Sequence, residues 1–178
     1  MALYKKTYRI ESARLQSYDY SQAGCYFVTL CVHRHQCVFG EVHGEGMHLN
    51  EIGKIAHRCW EEIPKHFPCA ELDAFVVMPN HFHGIIIIKD LGRDVQLNVS
   101  TEKTHASISP RKESLSVIVR TFKAAVTTVC RRNGYHNFRW QSRFYDHIIH
   151  DDRDMDNVRN YIIDNPLKWS TDEKNPDL

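Results

Sequence analysis

The chain has 178 residues, 42% of them hydrophobic and 25% charged, with a net charge of +1. That is the composition of one globular domain whose apolar core needs no metal or disulfide to hold it. No apolar run approaches the roughly 18 residues of a membrane span, and the opening MALYKKTYRI lacks the apolar stretch of a secretory leader, so a cytoplasmic protein without a membrane partner is expected. Six cysteines (Cys25, Cys31, Cys37, Cys59, Cys69, Cys130) contain no CxxC pair. This argues against a zinc ribbon or a disulfide scaffold and predicts reduced, mostly buried small hydrophobes.

In chain order, CYFVTLCVH after Gly24 alternates and is rich in β-branched and aromatic residues, predicting a strand. QCVFGEV, HGEG and MHLN read as a hairpin with its turn. Asn50 predicts the N-cap of a helix reaching about Ile63, with Ile52, Ile55, Ala56, Cys59 and Trp60 on one face and Pro64 near its end. ELDAFVVM and HFHGIIII predict an antiparallel pair turning at Pro79-Asn80, and the run Ile85 to Ile88 predicts a strand covered on both faces. Residues 89 to 112 are polar and aperiodic, the pattern of a mobile loop. Ser114 is placed to cap a helix in which Ile118, Phe122, Ala125 and Val129 face inward and Arg120 and Lys123 outward. Asn133-Gly134-Tyr135 breaks that helix, FYDHIIH predicts a short strand, and Asp151 or Asp152 starts a last helix with Met155, Val158 and Ile162 facing the core, ended by Pro166. The pattern is βαββαβ with an inserted hairpin and an extra C-terminal helix. It predicts an α+β, ferredoxin-like fold, an antiparallel sheet with helices on one face.

The charge is unevenly spread. Residues 111 to 145 hold eight basic residues (Arg111, Lys112, Arg120, Lys123, Arg131, Arg132, Arg139, Arg143) against Glu113, a local +7 that leaves −6 for the rest. A basic stripe interleaved with Phe122, Tyr135, Phe138, Trp140 and Phe144 suits phosphate tracking and base stacking. A solvated helix face with core aromatics beneath it would look the same.

Side chains two apart on a strand share a face, so His81 and His83 project together and Phe82 points away. Two imidazoles on a strand can supply two ligands of a divalent-metal site, although one HxH pair among twelve histidines also arises by chance. Tyr161 and Asn165 are four apart and share a helical face. A carboxamide oxygen can serve as a further ligand and a phenol as a nucleophile once a neighbouring charge favours its ionised form. Taken alone, Tyr161 reads as a half-buried helix aromatic and Asn165 before Pro166 as a helix stop. His147 and His150 read as structural or exposed.

VVMPNHFHGIIII, FKAAVT on a basic helix, WQSRFYDHIIH and RNYIIDNPLKW occur in an order and spacing that resemble the single-tyrosine HUH transposases, and among them the REP-associated tyrosine transposases. The resemblance covers about residues 20 to 170 and implies a single HUH transposase-like domain over 1 to 178. It places the family's histidine-hydrophobic-histidine motif on His81, Phe82 and His83, its nucleophilic tyrosine on Tyr161, and its third metal ligand on Asn165. It also implies a ferredoxin-like fold, an Mg²⁺ or Mn²⁺ cofactor, and cleavage and rejoining of single-stranded hairpin DNA through a 5′-phosphotyrosine. On this scheme Arg120, Lys123, Arg131 and Arg132 hold the hairpin stem, while Arg139, Trp140, Arg143 and Phe144 grip the unpaired segment; Trp140 and Phe144 fit core packing equally well. Family members differ in whether the tyrosine helix serves its own subunit or a partner's, so a monomer and a homodimer both fit. The rival readings are an inactive hairpin-binding regulator on the same scaffold and a zinc-stabilised structural domain.

Overall fold

A computed structural model describes residues 19–90 and 114–178 except 21, 45 and 177, together with the backbone of two short paired strands, β1 (Leu3–Tyr4) and β2 (Thr7–Tyr8). The segment read as a mobile loop lies outside the described residues beyond Asp90, as do Arg111, Lys112 and Glu113 of the basic stretch. The remaining elements are β3 (Gly24–Cys31), β4 (Gly40–His43), β5 (Gly46–Leu49), α1 (Glu51–Glu61), α2 (Ile63–His66), β6 (Ala70–Val77), β7 (His81–Ile88), α3 (Leu115–Arg132), β8 (Tyr145–Ile149) and α4 (Asp152–Asp164). A 3₁₀ turn, Trp169–Thr171, follows α4.

The sheet has the strand order β6-β7-β3-β8, every neighbouring pair antiparallel. Numbered within the βαββαβ unit this is 2-3-1-4, the ferredoxin-like order expected from the sequence. The β4–β5 hairpin forms its own two-stranded sheet.

Strand alternation divides the core into two layers. Tyr26, Val28 and Leu30 of β3 and Phe82, Ile86 and Ile88 of β7 face α1 and α3, meeting Trp60, Ile118 and Phe122. Phe27, Ile85 and Ile149 face the other way and are covered by Ile162, Met155 and Val158 of α4. The two helices of the repeating pattern therefore share one face, and the extra C-terminal helix closes the opposite one. β7 is central and buried along almost its whole length because both faces are covered. Gly84 lets it pass close to α1, since a Cβ there would stand 2.4 Å from Cζ2 of Trp60.

Caps set the helix starts. The Asn50 side chain accepts from the Gly53 N–H, and the Asp151 carboxylate accepts from the Asp154 N–H. Ser114 occupies the N-cap position of α3, but its hydroxyl makes no cap hydrogen bond and is buried without a partner, so the expected side-chain cap is not formed. The inward row of α3 falls on Ile118, Phe122, Val126 and Cys130, with Ala125 and Val129 at its margin. Pro64 does not close α1; it starts the short α2, where its missing N–H costs nothing. All six cysteines are free thiols, but only Cys69 and Cys130 are buried and Cys37 is exposed, which corrects the expectation that most would be core residues.

Candidate active site

His81 and His83 sit on the α4 side of β7, 0% and 1% exposed, with ring centroids 4.6 Å apart. Burial pushes the His81 imidazole down to about 4; the Asp172 carboxylate and Asn165 oppose that shift, and Lys174 adds to it. His83 is held well below the ordinary histidine range by burial, then by His81 and Lys174. Both rings are therefore neutral at pH 7 and can offer lone pairs.

Neighbours fix which nitrogen does so. The Asn80 side-chain NH₂ donates to the carbonyls of His35 (3.0 Å) and Lys174 (2.6 Å), so its Oδ1 must be the atom facing Nδ1 of His81 at 2.8 Å. Nδ1 of His81 then carries the proton and Nε2 the free lone pair. That Nε2 is buried without a hydrogen-bond partner, as is Oδ1 of Asn165, whose side chain stands against the same ring. Nδ1 of His83 lies 2.9 Å from the Thr29 hydroxyl, directly across the β3–β7 register. Its Nε2 lies 3.4 Å from the Tyr161 hydroxyl.

α4 presents Tyr161 edge-on to His83 and Phe27, at centroid distances of 5.2 and 5.9 Å. Its ring is 40% exposed while Asn165, one turn on, is 3% exposed. The phenol is thus reachable from solvent and the amide is not. Arg159 holds this helix to the sheet by two bonds to the Asp73 carboxylate, 2.9 and 2.7 Å, at the bulge that interrupts β6 between Leu72 and Phe75. Behind α4, the chain folds back so that Asp172 places Oδ2 3.9 Å from Nε2 of His81.

Among the described residues, no three His, Cys, Asp or Glu side chains cluster as a metal site by themselves. A metal here needs the Asn165 amide. The two buried acceptors without partners, His81 Nε2 and Asn165 Oδ1, suit that group, since a buried lone pair left unpaired is costly. His81, His83, Tyr161 and Asn165 are therefore gathered around β7 and the end of α4. Four contributors were not read from it: Thr29, Asn80, Asp172 and Lys174. Asn80 had a signal, since it directly precedes His81 in a tight turn. The others are brought in by strand register and by the fold-back of the chain end.

One hollow adjoins the tyrosine and a second lies beside the first. A cleft of about 400 Å³ is lined by His83, Tyr161, Phe27, Arg143, Phe144, Tyr145 and Lys174. A more open groove of about 500 Å³ runs along the outer side of α3, with Arg131, Arg139, Thr127 and Trp140 on its walls, and Gln141 borders both. Arg120 and Arg132 are exposed but line neither. Lys123 departs from the expected outward cation: its ammonium donates to the carbonyls of Gln141 and Arg143 and lies 5.9 Å over the Trp140 ring. Burial pushes it down to about 8. Trp140 packs against Phe39, Phe122 and Phe138, so its ring is chiefly core. His147 is bound to Asp154 (2.9 Å) at the start of α4, and His150 is exposed.

A four-stranded antiparallel sheet with order 2-3-1-4, two histidines on its central strand and a helix-borne tyrosine above them make a ferredoxin-like fold that carries a paired-histidine and tyrosine site. No protein-family model matches the chain. It is 38% identical over 163 residues to an uncharacterized Haemophilus influenzae protein, covering 91% of each. It is 24% identical over 151 residues, 84% of this chain and 74% of the other, to a Haemophilus influenzae protein provisionally named a REP-associated tyrosine transposase. A solved structure of a REP-associated tyrosine transposase bound to a REP hairpin shares the fold, with a TM-score of 0.58 and 22% identity, over 87% of this chain and 73% of that one. No helix among the described residues is long and apolar enough to cross a membrane.

Proposed function

We propose that the protein is a metal-dependent single-strand DNA endonuclease and strand transferase of the HUH type, acting on hairpin DNA through a covalent 5′-phosphotyrosine at Tyr161. The observation that carries this reading is the placement of one solvent-reachable phenol 3.4 Å from a buried, neutral imidazole that is paired with another. His81, His83 and Asn165 would hold a divalent ion, Mg²⁺ or Mn²⁺, that polarises the scissile phosphate and offsets its developing charge.

The chain's own residues do the rest. Thr29 and Asn80 hold the two rings in place by their Nδ1 atoms and aim the Nε2 atoms at the space below α4. Tyr161 Oη forms the new bond to phosphorus as the bond to the 3′-oxygen breaks; the phenol proton goes to water, and the departing oxygen takes one up as a 3′-hydroxyl. Because the phosphodiester energy stays in the tyrosine ester, a 3′-hydroxyl can reverse the step without a nucleotide cofactor. Arg143 and Lys174, on the wall of the same cleft, suit the phosphates on either side of the cut. Arg131 and Arg139 suit the stem of a hairpin lying in the adjoining groove. The solved relative with a bound hairpin supports that choice of DNA.

The test is incubation of the protein with end-labelled hairpin DNA and Mn²⁺. A protein–DNA adduct that survives denaturation should form with the wild type and be absent with Tyr161→Phe. Retained hairpin binding without any adduct would favour a regulator that binds and does not cut.

A further inference from the structure

The proposed ligands, two neutral imidazoles and an amide, carry no charge, whereas Mg²⁺ and Mn²⁺ favour anionic oxygen. The chain end supplies one. After α4 the backbone turns through the 3₁₀ segment at Trp169 and returns over β7, where the Asn80 side chain ties down the Lys174 carbonyl at 2.6 Å. This fold-back leaves Asp172 only 9% exposed at its side chain. Its two oxygens are used differently. Oδ1 accepts from the Lys174 N–H at 2.7 Å, while Oδ2 points at His81 Nε2 from 3.9 Å, too far for a hydrogen bond.

Asn80 keeps the His81 proton on Nδ1, so the atoms on this side of the ring are the buried Nε2 lone pair, the buried Asn165 Oδ1 and, nearer the surface, Asp172 Oδ2. All three are acceptors, which a shared cation would hold together; the Lys174 ammonium, 3.9 Å from Asp172 Oδ1, stands on the carboxylate's other oxygen. Two donors each about 2.1 Å from one ion stand at most about 4.2 Å apart, so a 3.9 Å separation is within reach of a shared ion. We propose that Asp172 is a further metal-holding residue, giving the divalent ion an anionic oxygen beside His81 Nε2 and Asn165 Oδ1. The proposal rests on the metal reading of the paired histidines. It makes the C-terminal fold-back part of the active site.

The test measures metal binding in the absence of DNA, by calorimetric titration with Mn²⁺ and by the Mn²⁺-induced rise in melting temperature. Wild type, His81→Ala, Asp172→Asn and Glu173→Gln are compared, with the metal-free melting temperature of each recorded to confirm folding. Asp172→Asn should weaken Mn²⁺ at least about tenfold, and Glu173→Gln, at an exposed carboxylate, should not. If the wild type binds Mn²⁺, His81→Ala loses it and Asp172→Asn keeps wild-type affinity or gains some, the proposal is overturned and Asp172 is only a neighbour of His81 that holds no metal. If the wild type takes up no Mn²⁺, or His81→Ala binds it as tightly as wild type, the metal reading of the histidines falls and this inference with it.

Discussion

Replacing Gly84 by alanine tests whether the position of the histidine strand is set by its contact with the core tryptophan. The new Cβ would sit 2.4 Å from Cζ2 of Trp60 and 3.0 Å from Cε2 and Cη2. Carbon contacts are comfortable near 3.5–4.0 Å, so ring and strand must separate by about 1 Å. Neither has room to yield. Trp60 is fully buried, with ring centroids of Phe82, Phe122 and Phe75 at 4.6, 5.2 and 6.2 Å, and β7 is paired to β3 on one edge and β6 on the other. Overpacking where neither side can yield falls in the upper part of its range, about 2–3 kcal/mol, partly offset by about 0.4–1 kcal/mol from the stiffer unfolded chain. For a chain of this size the melting temperature should fall by roughly 2 to 10 °C. Thermal and urea unfolding of Gly84→Ala, Trp60→Phe and the double mutant measure it. The smaller ring opens the space, so the alanine should cost less than about 0.5 kcal/mol in the Trp60→Phe background, a coupling of more than about 1 kcal/mol. Equal cost in both backgrounds would refute the reasoning, as would a Gly84→Ala protein that melts with the wild type.

Three other outcomes follow from the same geometry. Because burial lowers His81 to about 4 and His83 well below normal, the unfolded chain binds more protons than the native one below pH 6.5; stability of the metal-free protein should be full above that pH and fall towards pH 4, on the order of 3 kcal/mol from His81 alone, and His81→Gln should flatten the urea-midpoint profile there. Arg159→Ala removes the two-bond tie between α4 and Asp73, a half-exposed pair whose loss should cost no more than about 1 kcal/mol; if the tie positions Tyr161, adduct formation should slow far more than hairpin affinity changes, and an equal loss in both would argue against a positioning role. The Asp73 carboxylate is held below its ordinary value first by its bond to Arg159, so the tie is intact above the usual aspartate range and lost as pH falls through the depressed value. Arg131→Ala and Arg139→Ala should each weaken hairpin binding similarly for different stem sequences and reduce the salt slope by about 0.9 per lost phosphate contact, whereas Lys123→Met should lower stability with little change in that slope, because its ammonium is spent on the Gln141 and Arg143 carbonyls.

Relations between residues close in sequence could be read without coordinates. Period two puts His81 and His83 on one face and Phe82 on the other, period 3.6 stacks Tyr161 over Asn165, and the Asn50 and Asp151 caps follow from short polar side chains ahead of helical patterns. The strand and helix order was enough for the ferredoxin-like topology, since few arrangements connect βαββαβ without crossings. Where local pattern and neighbourhood conflict, the neighbourhood decided. Ser114 fits a cap by type but is buried without the bond, and Lys123 is basic by type but serves as a tie between α3 and the segment before β8. The proton position on His81 depends on an Asn80 amide oriented by carbonyls 45 and 94 residues away. Thr29 reaches His83 only because β3 pairs with β7 in that register, and Asp172 reaches His81 only because the chain end folds back across the sheet. The order of the main strands and helices and the shared faces of His81 with His83 and of Tyr161 with Asn165 were legible in the amino-acid sequence. Which atoms of those residues are free to act was left to tertiary contacts, because burial and hydrogen bonding are set by groups distant along the chain that have no period to betray them.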